Sequence, residues 1–194
     1  MAYNFFSLLA RMKLINRWSL MRNTVSENVA EHSQMVGMLA YSLAVIERDI
    51  FKREIDPHRL CTLGLFHDVP EILTGDLPTP IKYMNPELSA AYKALERTTA
   101  KRLLNFLPEP LRGGFQPVLF ARTDFSDFER RLCKAADKLS AYIKCQEEIN
   151  AGNSEFKKAK KQTLAALKAM KIDSVDYFLT EFSPGFELSL DEMK

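Results

Sequence analysis

Residues 56–80 read DPHRLCTLGLFHDVPEILTGDLPTP, and this stretch decides the fold. Asp56-Pro57 is a helix opening: an oxygen-bearing cap residue followed by proline, whose preset φ suits the first helical position. Leu60, Cys61, Gly64, Leu65, His67 and Asp68 then follow along one broad face. Pro70 is expected to stop that helix, because it lacks a donor N–H and restricts the residue before it. Leu73–Pro80, rich in Gly and Pro, reads as an ordered loop. A mainly apolar helix therefore ends in His67-Asp68. A buried carboxylate without a partner is costly, so Asp68 needs a cation, a set of donors or water.

Outward from this stretch, the helical period dominates. Val29, His32, Val36, Leu39, Leu43 and Ile46 step by three and four along one face, with Asn28 or Ser26 as the cap. The N-terminal MAYNFFSLLARMKL reads as a first amphipathic helix. It lacks the basic-first order and small-residue cleavage site of a signal peptide. Further helices are expected over Pro86–Leu107, Phe128–Ala151, the basic Ser154–Lys171 and Val175–Phe182, with a shorter element around Leu111–Phe120 and a break at Gly152-Asn153. Alternating β-branched runs are nearly absent. The expectation is an all-α protein of one domain spanning residues 1–194.

Composition narrows the function. Lys+Arg 27 against Asp+Glu 25 gives a net charge of +2, without the basic excess of a protein that coats a nucleic acid polymer. A small phosphorylated ligand needs only one or two placed cations. No apolar run approaches the roughly 20 residues of a membrane span. The three cysteines, Cys61, Cys133 and Cys145, form no CxxC pair. They are expected as free thiols in a cytoplasmic protein.

His32, on an apolar stripe, reads alone as a hydrogen-bonded core residue. Asp137, at the edge of the apolar face in KAADKLSAYIK, raises the same difficulty as Asp68. With His67 these residues come from three helices and can converge in a bundle core as a metal site. Imidazole plus carboxylate suits Mn, Co or another transition metal. Gly64, one turn before His67, lets a second helix come close.

The pattern H…HD…D, with HDVPE after the second histidine, resembles the HD-domain superfamily of metal-dependent phosphohydrolases. LINRWSLMRN, ENVAEHS, HDVPEILTGDLPTPIKYMN, KAADKLSAYIKCQEE and FSPGFELSLDE resemble the bacterial 5′-deoxynucleotidase family over almost the whole chain. Pro70 departs from the family pattern, and the departure bears on how the turn presents Glu71.

The resemblance implies an HD-domain helical bundle and a homodimer that releases phosphate from deoxyribonucleoside 5′-monophosphates. It implies one divalent metal, Co, Mn or another transition ion, on His32, His67, Asp68 and Asp137. Glu71, Arg17 and Asp76 match catalytic positions, with Glu71 in proton transfer and Arg17 near the phosphate. Arg17, Trp18, Asp76, Leu77, Pro78 and Thr79 match the substrate site, which His32, Asp68 and Asp137 also border. The blander alternatives are a surface arginine on a packed indole for Arg17-Trp18, an exposed turn residue for Glu71 and an Asx-turn former for Asp76. His58 and the Lys157–Lys161 run read as solvated. A phosphodiesterase acting on a cyclic or oligomeric nucleotide would need more than the three histidines present. A nucleotide-sensing module without catalysis would not need the intact ligand set and Glu71.

Overall fold

In the computed structural model, which describes residues 3–82, 84–121 and 124–193, the long central helix begins where its capping chemistry places it. Asn28 Oδ1 accepts from the backbone N–H groups of Ala30 and Glu31, and the Glu31 carboxylate accepts from the N–H of Asn28. This reciprocal cap satisfies donors that a helix start otherwise leaves open. Before it come α1 (Phe5–Leu9) and a 3₁₀ turn (Ala10–Leu14), then α2 itself (Val29–Asp49). Asp56 caps α3 (Pro57–Phe66) with Pro57 at its start, as the sequence predicts.

Two four-residue helices follow, α4 (Glu71–Thr74) and α5 (Thr79–Lys82). The expected loop over Leu73–Pro80 thus shrinks to residues 75–78. Pro70 and Pro80 do not simply break structure. Each lies at or near a helix start, where proline's fixed φ is an advantage and its missing N–H costs nothing. Then come α6 (Pro86–Asn105), α7 (Glu109–Phe120), α8 (Asp127–Asn150), α9 (Lys157–Ala169) and α10 (Asp173–Glu181). α7 starts earlier than expected and carries Pro117 within it. The basic segment begins with a short 3₁₀ turn (Ser154–Phe156) before α9. Among the described residues the extended structure is one antiparallel bridge, Asn16 to Asn28. No helix there is long and apolar enough to cross a membrane. Cys133 and Cys145 are buried, Cys61 is half-buried, and all three are free.

The helices pack around two apolar clusters. Val36, Leu43, Leu60, Leu63, Leu132, Leu139, Leu167 and Val175 join α2, α3, α8, α9 and α10. Phe5, Met12, Val29, Val69, Leu103, Leu107 and Leu119 join the N-terminal segment to α6 and α7. His32 stands between Val29 of one cluster and Val36 of the other, and His67-Asp68 lies between Leu63 and Val69 in the same way. The seam between the cores is where the polar residues gather.

α2 and α3 meet without a side-chain layer at one point. A Cβ on Gly64 would fall 2.9 Å from Gly37 Cα and 2.9 Å from the Val36 carbonyl oxygen. Both obstacles are backbone, so relief requires the helices to part. Gly64→Ala is expected to destabilise the protein by about 1–3 kcal/mol. That corresponds to a Tm lower by roughly 2–12 °C for a chain of this size, read by circular dichroism. An unchanged Tm would show that the helices separate there without cost.

Candidate active site

The turn after α3 sets the site. From Phe66 the backbone tightens into consecutive short-range bonds: Val69 N–H to Phe66 O (3.2 Å), Glu71 N–H to Asp68 O (2.9 Å) and Ile72 N–H to Val69 O (3.2 Å). Buried Val69 anchors this turn in the second core, leaving His67 and Asp68 to face α2. The helix therefore ends at Phe66, before the expected stop at Pro70, and Pro70 instead leads into α4.

His67 Nδ1 lies 2.7 Å from the Gly64 carbonyl oxygen, which can only accept. Nδ1 thus carries a proton, and Nε2 is the nitrogen directed toward α2, free to offer a lone pair whenever the ring is neutral. His32 Nδ1 is 3.0 Å from Ser140 Oγ of α8, which orients that ring as well. Both Nε2 atoms are buried and have no hydrogen-bond partner. Such orphaned groups are rare and costly. Asp68 Oδ2 lies between them, 3.1 Å from His67 Nε2 and 3.6 Å from His32 Nε2. One ligand atom from each of His32, His67 and Asp68 falls within 4.8 Å of the others. Asp137 Oδ1 touches the group at its edge, 3.2 Å from His32 Nε2. Two nitrogens held by partners behind them, facing carboxylate oxygens, form a donor set suited to a divalent transition ion.

The electrostatics agree. Burial opposes charge on the His67 imidazole, yet Asp68 and Asp137 together lift it to about 9. Burial likewise opposes the Asp68 carboxylate, but His67, His32 and Arg17 hold it well below the usual carboxylate range. The pocket concentrates negative charge and draws cations.

Arg17 and Trp18 flank this cluster. Arg17 Nη1 is 3.6 Å from Asp68 Oδ2, and its Nε donates to Glu27 Oε2 at 3.0 Å. The Trp18 indole is half-buried and packs against Phe156, with ring centroids 5.3 Å apart. Glu71 opens α4 and is buried, with Oε2 lacking a partner. Burial, then the charges of Asp68 and Asp76, push its carboxyl up to about 10. Burial also raises Asp76, against the pull of Arg17. Leu77 and Pro78 are half-buried in the loop before α5. Thr79 opens α5, and its side chain lies outside the described residues.

A family model described as "5′-deoxynucleotidase YfbR-like" matches residues 4–186. The chain belongs to the YfbR-like family. A 5′-deoxynucleotidase of Vibrio cholerae is 48% identical over 190 residues, covering 98% of this chain and 97% of that protein. An HD-domain phosphohydrolase from Listeria innocua is similar in structure, with a TM-score of 0.77 and 26% identity, over 94% of this chain and 88% of that one. The HD phosphohydrolase DatZ of cyanophage S-2L, solved with dA and one catalytic Zn²⁺, shares the fold at a TM-score of 0.66 and 21% identity, over 93% and 95% of the two chains. The expected all-α HD-type fold is thus observed.

In this YfbR-like protein His32, His67 and Asp68 come together in space, with Asp137 at the edge. His32 is not a satisfied core histidine, since Nε2 has no partner. Glu71 is not an exposed turn residue. Arg17 is not a surface arginine: its side chain is 11% exposed and faces carboxylates. His58 is exposed as expected. Lys157, Lys158 and Lys161 are exposed too, while Lys160 is half-buried and pairs with Glu187. Two residues of the site escaped the sequence reading. Ser140 lies one helical turn beyond Asp137, a spacing that places both on one face of α8. Glu27 lies inside the motif ENVAEHS, which is the signal that marks it.

Proposed function

We propose that the protein hydrolyses deoxyribonucleoside 5′-monophosphates to deoxyribonucleosides and phosphate, at one divalent ion held by His32, His67, Asp68 and Asp137. The observation that carries this reading is the pair of buried, unpartnered imidazole nitrogens beside Asp68. YfbR-like membership names the reaction class, and the protein is a phosphomonoester hydrolase. When bound, a divalent ion lowers the pKa of water and neutralises phosphoryl charge. Co and Mn both suit the donor set.

The remaining work falls to side chains. Arg17 forks two N–H groups onto phosphate oxygens, which a lysine does less well. Glu71, outside the ligand set but close to Asp68, takes the water proton or supplies one to the departing O5′. Asp76 with Leu77, Pro78 and Thr79 lines the nucleotide. All of residues 1–194 serve as one domain, since the site draws on Arg17 at one end and Asp137 far along the chain. The working form is a cytoplasmic homodimer acting on free nucleotides, and the +2 net charge offers no track for a nucleic acid polymer.

Trp18 supplies the sugar preference. Most polar pockets welcome an added hydroxyl, whereas an apolar wall strips water from O2′ and offers no partner. An unpaired, desolvated hydroxyl costs about 1–3 kcal/mol, which corresponds to about 5–150-fold in selectivity. Phosphate release from deoxyadenylate should therefore exceed that from adenylate, with tolerance of the base. Trp18→Ala should raise relative activity on adenylate while weakening binding of both. An unchanged ratio of kcat/KM values would move the discrimination to the Asp76–Thr79 loop.

A further inference from the structure

Glu27 is the group that touches both substrate-side residues. Its Oε2 accepts from Arg17 Nε at 3.0 Å and from Trp18 Nε1 at 2.9 Å. Its backbone carbonyl accepts the Arg17 N–H at 2.9 Å, and Val29 N–H bonds to Ile15 O at 2.9 Å. With the Asn16–Asn28 bridge, these bonds fix two antiparallel segments against each other. The second Glu27 oxygen lies 4.0 Å from His32 Nδ1.

Two consequences follow for the side chains. Because Arg17 Nε is engaged from behind, its terminal nitrogens are left to point at the Asp68 side, where Nη1 already lies 3.6 Å from the carboxylate. Trp18 has a φ of 55°, a left-handed backbone that a bulky residue adopts only where its surroundings over-determine it. The Glu27 bond on one edge of the indole and buried Phe156 against its ring provide that constraint.

We propose that Glu27 is a positioning residue that presents Arg17 and Trp18 to the substrate as one preset unit, phosphate grip and sugar wall together. The proposal rests on the roles given to those two residues above. A carboxylate serves because one oxygen accepts from both donors and its charge keeps the guanidinium in place.

The test uses metal-loaded enzyme and the variants Glu27→Ala and Glu27→Gln. Trp18 is the only tryptophan in the chain, so its fluorescence reports this one indole. In Glu27→Ala, KM for deoxyadenylate should rise about tenfold or more, more than kcat falls. The deoxyadenylate preference should collapse, and the emission should shift to the red with greater acrylamide quenching. Glu27→Gln keeps an oxygen able to accept from both N–H groups but loses the charge. It should retain the emission and sugar preference while KM still rises several-fold. A merely structural brace would lower Tm and leave KM, sugar ratio and emission of the folded protein at wild-type values, and that result overturns the proposal. If Glu27→Ala does not fold, Glu27→Gln decides alone: a wild-type KM overturns the proposal. A red shift and higher KM without loss of sugar preference support Glu27 as the positioning residue. They remove the sugar role from Trp18, which Trp18→Ala then shows independently.

Discussion

Asp68→Ala protein should hold no divalent ion and release no phosphate above background. Asp68 lies at the centre of the cluster, within 3.1–3.6 Å of His67, His32 and Arg17. Its removal leaves two imidazoles with only the edge carboxylate of Asp137, a donor set with less charge and poorer closure. Metal catalysis supplies several kcal/mol of transition-state stabilisation, so the expected loss is about 10³-fold or more. Chelation of the wild type should have the same effect, reversed by Co or Mn, whereas the variant should not recover at the same metal concentration. Stability should follow. An ion at one hundred times its Kd adds about 2.7 kcal/mol to a fold that alone binds it, so metal should raise Tm in the wild type and not in Asp68→Ala. Metal content by mass spectrometry and phosphate release measure both effects. Full turnover by rigorously stripped wild type would end the metal reading.

Glu71→Ala should behave differently, keeping its metal and binding deoxyadenylate while turnover falls about 10²–10⁴-fold, the usual contribution of a general acid or base. Glu71 follows Asp68 by one tight turn, is buried, and has an oxygen without a partner. Its carboxyl is pushed up to about 10 by burial and by Asp68 and Asp76, and a cation on Asp68 would oppose that shift. Single-turnover rates on metal-loaded variant distinguish lost chemistry from lost binding. Near-normal turnover would assign the proton transfer elsewhere, with Asp76 the first residue to replace.

The long helices were legible because each carries its own period, and α2 and α3 also announce themselves by a cap. Asn28 and Asp56 do in the structure what their positions imply. α4 and α5 were not legible, since four residues give no period and Pro70 and Pro80 read equally well as breakers. α7 was underestimated at its start, where Pro108 and Pro110 obscure a helix that begins at Glu109. The adjacency of His67 and Asp68 exposed half of the site from sequence alone. Their convergence with His32 depends on the helix crossing, which Gly64 hinted at. The Glu27 bonds to Arg17 and Trp18 span ten and nine residues of irregular chain, and such pairings leave no periodic mark.

The crossing of α2 and α3 also bears on how this protein tolerates change. Gly37 and Gly64 place backbone against backbone, and each lies within two turns of a histidine of the cluster. The spacing between the two imidazoles is therefore tied at this point to main-chain contact, with the Leu65 side chain lying over Gly37 beside it. Core residues away from this contact, such as Leu139 or Leu167, are expected to be exchangeable at a cost in stability with little effect on the distance between the two nitrogens. Drift in the hydrophobic interior is thereby expected to leave the imidazole spacing alone, and substitution at Gly64, where the obstacles are backbone, to change it.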